Sequence, residues 1–82
     1  MIYKTTDIYI STTLLTKGAT LKEVEIDEGI RRQAVFVLNT ENMDVEQMIS
    51  LYKQRKLSID AYTFVDTFKG LKQHMYDKLN TR

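Results

Sequence analysis

Residues 21–39 read LKEVEIDEGIRRQAVFVLN, and their rhythm decides the fold. Val24 and Ile26 alternate with Glu23, Glu25 and Asp27; after Asp27-Glu28-Gly29, Ile30, Ala34, Phe36 and Leu38 alternate with Arg31, Gln33, Val35 and Val37. A period of two places successive side chains on opposite faces, so the stretch predicts two antiparallel strands. Three loop residues ending in Gly29 suit a type I turn followed by a left-handed position, which sets Ile26 opposite Ile30 and Glu25 opposite Arg31. On that reading Gly29→Val is expected to destabilise the fold, because a β-branched residue resists positive φ. Val35 and Val37 make the second strand apolar on both faces, which places it inside the fold with something covering its second face.

Beyond residue 44 the apolar spacing changes to threes and fours. Asn42 or Asp44 is placed to cap a helix whose Val45, Met48, Ile49 and Tyr52 share one face, with Lys53, Arg55 and Lys56 in its last turn, where cations complement the helix dipole. Ser58 or Asp60 begins a longer helix with an Ala61, Phe64, Phe68, Leu71, Met75 and Leu79 stripe that predicts burial. Gly70 weakens it unless close packing requires a glycine there. Upstream, Thr6 or Asp7 caps a possible first helix ending at Gly18, although the β-branched residues among Ile8 to Thr16 also fit a strand. Ile2-Tyr3-Lys4 adds a short edge strand. The expected fold is therefore α+β, a small antiparallel hairpin or three-stranded sheet packed by helices in the order (β)-α-β-β-α-α, forming one domain over residues 1–82.

Composition bounds the function. The chain has no cysteine, so disulfides and cysteine-zinc sites are excluded. Met1 to Asp7 lacks the apolar core of a secretory signal, and no apolar run reaches the ~20 residues of a membrane span, so a soluble cytoplasmic protein is expected. Its formal net charge of +1 hides an asymmetry: residues 1–48 carry five Lys or Arg against eight Asp or Glu, and residues 49–82 carry seven against three. Such a dipole steers partners.

No constellation for catalysis, metal or cofactor binding stands out. His74 is the only histidine, and neither general-base nor metal chemistry works without oriented companions. Glu23, Glu25, Asp27 and Glu28 form the densest carboxylate group; they read as a charged, aggregation-resistant hairpin or as a contact for a basic partner. Lys53, Arg55, Lys56, Lys69, Lys72, Lys78 and Arg82, interleaved with Tyr52, Tyr62 and Tyr76, have the residue types of a nucleic-acid surface, but a pI of about 7.9 is low for a dedicated binder. Lys69, Lys72 and Tyr76 share one face of the long helix.

The Tyr3-Lys4-Thr5-Thr6-Asp7 box, Leu14-Leu15 with Gly18, Val35-Phe36-Val37, Leu51-Tyr52, Leu71-Lys72 and Met75-Tyr76 together resemble a family of short uncharacterised bacterial and bacteriophage proteins. The resemblance implies a compact α+β domain and supplies no catalytic residue. The chain departs from it at Ser11-Thr12-Thr13, where an alanine-rich helix is expected. The expectation that follows is a non-enzymatic, cofactor-free protein that occludes a protein partner as a phage or mobile-element regulator or inhibitor. Glu23, Glu25, Asp27, Glu28, Lys69, Lys72 and Tyr76 are its candidate contacts. A nucleic-acid-binding accessory protein using the basic C-terminal half is the alternative, and a homodimer is compatible with either.

Overall fold

The computed structural model describes residues 1–80; Arg82 lies outside them. Six elements follow in the order β1 (Ile2–Thr5), α1 (Ile8–Thr16), β2 (Thr20–Asp27), β3 (Gln33–Asn39), α2 (Val45–Lys53) and α3 (Ala61–Asn80). The architecture is α+β, with a three-stranded antiparallel sheet in the order β1-β3-β2.

The segment that could have been a strand is helix α1. Asp7 caps it, its Oδ1 accepting from the backbone N–H groups of Tyr9 at 2.8 Å and Ile10 at 3.0 Å. Ser11, Thr12 and Thr13 are buried, and their hydroxyls donate to the carbonyls of Asp7, Ile8 and Tyr9 at 2.9, 2.7 and 2.8 Å. A buried hydroxyl needs an acceptor, and the helix supplies one four residues back, which offsets the weak helix propensity of these residues. The helix ends with the Ala19 N–H donating to the Leu14 carbonyl at 3.0 Å and Gly18 at φ +117°.

The hairpin forms with a different register from the one alternation favours. Ile26 faces Ala34, Glu25 faces Val35 and Asp27 faces Gln33, so the connection spans residues 28–32 and Glu25 does not meet Arg31. Relative to the tighter register the partner moves by four residues; an even shift leaves every side chain on its own face, so the apolar pattern is identical in both. Polar contacts accompany the longer loop: Asp27 Oδ1 accepts from the Gly29 N–H at 3.1 Å and Arg32 Nε pairs with Glu28 Oε1 at 3.2 Å within it, and Arg32 Nη1 donates to the Leu79 carbonyl of α3. Ile30, expected on the strand, stands fully exposed in the loop. Gly29 is not at positive φ, unlike Gly18. Gly29→Val is accordingly expected to cost less than about 1 kcal/mol in urea unfolding, the range of a surface change whose new Cβ meets Asp27 Oδ1 at 3.3 Å.

The central position expected of β3 is observed. Val24, Ala34, Phe36 and Leu38 join Leu14 of α1 and Leu71 of α3 in the core on one face of the sheet. On the other face Val37 is buried without belonging to that core. No layer of secondary structure is needed there: Lys4 of β1 lies beside Val37, and its Nζ reaches Glu25 Oε1 of β2 at 3.2 Å, across the intervening β3. Both ends of the pair are substantially exposed, so its charge attraction is worth little, but the aliphatic stems shield the valine.

Asp44, not Asn42, caps α2 through the Gln47 N–H at 3.1 Å. None of its residues is fully buried; Val45 and Met48 pack on the core edge. Of the expected basic last turn only Lys53 is helical. Arg55 adopts φ +62°, and the Lys56 N–H returns to the Leu51 carbonyl at 2.9 Å, closing the helix. Asp60 caps α3, accepting from the Thr63 N–H and hydroxyl, both at 2.8 Å. These bonds hold its carboxyl below the usual carboxylate range. A depressed carboxyl contributes stability above its unfolded value and loses that contribution as pH falls through its folded value.

Along α3 the predicted stripe is partly realised. Leu71 is buried, Phe64, Phe68, Met75 and Leu79 are half-buried, and Ala61 is exposed. A helix lying on the margin of the core, against α1 and the sheet, has room for one deeply inserted residue while its neighbours cover the rim. A Cβ on Gly70 would meet nothing within 4 Å among the described residues, so no close contact there requires a glycine. Gly70→Ala is expected to raise stability by about 1 kcal/mol, read as a shift of the urea midpoint at constant slope.

Candidate functional site

The acidic residues of the hairpin are largely engaged within the fold. Glu25 bridges to Lys4, Glu28 pairs with Arg32, and Asp27 braces the loop through Gly29 and, at 3.4 Å, the Gln33 side-chain amide. Glu23 is exposed on β2 opposite Val37, next to the irregularity between Leu21 and Glu23. Charges and a bulge on an outer strand block edge-to-edge pairing. These four carboxylates do not converge on a common point, and among the described residues no group of three His, Cys, Asp or Glu could hold a metal ion.

The basic candidates are arranged differently. Asp60 starts α3 and its 20-residue length carries Lys69, Lys72 and Tyr76 along one side. Tyr62 and Val65 precede them at the same three- and four-residue steps, giving a stripe Tyr62, Val65, Lys69, Lys72, Tyr76. Large apolar side chains are exposed along it: Tyr62 to 81%, Val65 to 48% and Tyr76 to 47%. Tyr9 of α1, 55% exposed, stacks on Phe68 with centroids 5.5 Å apart, and Phe68 stacks on Phe64 at 6.3 Å. The Lys72 ammonium lies 5.8 Å from the Phe68 centroid and 5.9 Å from that of Tyr76. Two rings thus hold the cation in place. Among the described residues neither Lys69 nor Lys72 makes an ion pair.

Electrostatically, then, Glu25, Asp27 and Glu28 of the hairpin have partners within the chain, whereas two cations of α3 make no ion pair among the described residues and sit amid exposed apolar surface. Sequence reasoning placed Lys69, Lys72 and Tyr76 together; it named Tyr62 among the interleaved tyrosines without setting it on that face, and it missed Tyr9 and Val65. The signal for Tyr62 and Val65 was present in the continuation of the spacing to residues 62 and 65; Tyr9 joins only through tertiary packing. His74 lies on a different flank, in an open depression with Gly70, Gln73, Asp77 and Lys78. Gln73 donates to Asp77 Oδ1 at 2.9 Å, and no nucleophile or second imidazole accompanies His74 there.

A family model for a domain of unknown function, DUF5659, matches residues 1–77. The chain belongs to that family. The match takes in β1 through the whole exposed stripe of α3, so the candidate surface lies within the family domain. No curated protein and no solved structure matches the chain significantly. Among the described residues, no helix is long and apolar enough to cross a membrane.

Proposed function

We propose that this chain is a small non-enzymatic binding protein that covers a functional surface of a protein partner through the exposed side of α3, acting as a regulator or inhibitor. The observation that carries the reading is the coincidence, on one helix side, of exposed Tyr62, Val65 and Tyr76 with unpaired Lys69 and Lys72. Tyrosine combines apolar area with a polar tip and is enriched at interfaces, and contiguous exposed apolar surface marks interaction sites. Its resemblance to short bacterial and bacteriophage proteins supports a phage or mobile-element setting and a bacterial cytoplasm as the place of action. Engagement of the hairpin carboxylates within the fold leaves Glu23 as their main contribution to any contact.

Binding of single-stranded nucleic acid depends on ring faces free to receive bases. Tyr9 and Phe64 each stack on Phe68, and Lys72 lies against Phe68 and Tyr76, which leaves Tyr62 as a single open ring on this side, short of a track for successive bases, and favours a protein partner. Capture from bacterial lysate with and without nuclease tests this: a protein retained after nuclease treatment is expected. Lys69→Gln with Lys72→Gln should leave folding intact and weaken only that partner. Sequence-independent nucleic-acid binding at physiological salt, lost in the double variant with a salt slope reduced by roughly one to two, would assign the surface to nucleic acid instead.

A further inference from the structure

Resting on that reading, we infer that the exposed side of α3 receives an acidic amphipathic helix. Spacing gives the partner its shape: Tyr62, Val65, Lys69, Lys72 and Tyr76 recur at alternating three and four residues, the interval at which one straight helix presents a seam to another. The stripe covers fourteen residue steps, about 21 Å, or roughly four turns of a partner.

Charge gives the partner its chemistry. The seam is apolar at Tyr62, Val65 and Tyr76 and cationic at Lys69 and Lys72, with no carboxylate among these five and no ion pair made by either lysine among the described residues. A helix with an apolar stripe flanked by Glu or Asp complements both features. Lys72 is already positioned by Phe68 and Tyr76, so pairing with a carboxylate requires little further ordering of that side chain. A second copy of α3 fits less well, because an antiparallel pair centred on the stripe, at residue 69, sets the two Lys69 ammonium groups against each other.

The probe is a helical peptide of about 18 residues with leucines at three- and four-residue spacing and flanking glutamates, compared with its lysine-for-glutamate counterpart. Carbon-labelled methyl NMR of the full chain reads binding at Val65. Expected are saturable shifts of the Val65 methyls with the acidic peptide, at least tenfold weaker binding to Lys69→Glu plus Lys72→Glu, and recovery on that variant with the basic peptide. Absence of Val65 shifts at millimolar peptide, equal binding of both peptides, shifts confined to the hairpin, or self-association through the same methyls would overturn the inference. A Val65→Asp variant separates the two levels of the account. If it folds and loses its cellular partner while the acidic peptide gives no Val65 shift on the native chain, the binding side stands and the acidic-helix assignment falls; if it keeps that partner, both fall.

Discussion

Phe36→Ala is expected to destabilise the protein by about 4 kcal/mol, close to unfolding a chain of this size, whereas Phe68→Ala should cost about 2 kcal/mol. Phe36 is fully buried at the centre of β3, between Thr5 and Val24 of the neighbouring strands and within the core that α1 and α3 close. Removing its ring leaves a cavity whose walls are held in place by the sheet, so little collapse is available. Phe68 sits on the helix margin, stacked on Tyr9 and Phe64 with Lys72 against it. Exposed neighbours can settle into the space it vacates. Urea unfolding followed by circular dichroism checks both values; equal costs, or a Phe36 cost below that of Phe68, would contradict the assignment of the core.

Gly18→Val is expected to cost about 2–3 kcal/mol, the second largest effect. Its φ of +117° lies where L residues are strained, and a β-branched side chain adds to the strain. The position cannot relax freely, because the Ala19 N–H that follows is bonded to Leu14 and Ala19 itself enters the core. Space is not the difficulty: a Cβ on Gly18 would come no nearer than 4.0 Å to Met43. The effect should therefore persist in Gly18→Ala at reduced size, while Gly18→Asn, which tolerates left-handed backbone better, should be milder. A cost below 0.5 kcal/mol for Gly18→Val would show that this turn does not hold its geometry.

Much of the architecture was legible because short-range rules carried it. Asp7, Gly18, Asp44 and Asp60 mark helix ends through bonds to groups within a few residues; position alone left Thr6, Asn42 and Ser58 as alternative caps, and the aspartate takes the role each time. The hairpin register was not legible. Ile26 opposite Ile30 and Ile26 opposite Ala34 bury the same faces, and what accompanies the second is a set of contacts including one from Arg32 to Leu79, 47 residues away. Ser11, Thr12 and Thr13 were ambiguous for a related reason: their hydroxyl bonds favour helix only once the segment is buried. Of the candidate surface, the face shared by Lys69, Lys72 and Tyr76 could be read from spacing. That Glu25 would be drawn to Lys4 depended on which strands lie side by side, and the local contacts of Glu28 with Arg32 and of Asp27 with Gly29 belong to the longer loop that the register sets.

The central claim is that the exposed side of α3, and not the acidic hairpin, makes the contact with a protein partner. Its most direct test is retention of the captured partner by two folded variants, Lys69→Glu with Lys72→Glu and Glu23→Gln with Glu28→Gln, after nuclease treatment. Loss of the partner from the first and retention by the second is the result the account predicts. Retention by the first and loss from the second would contradict it.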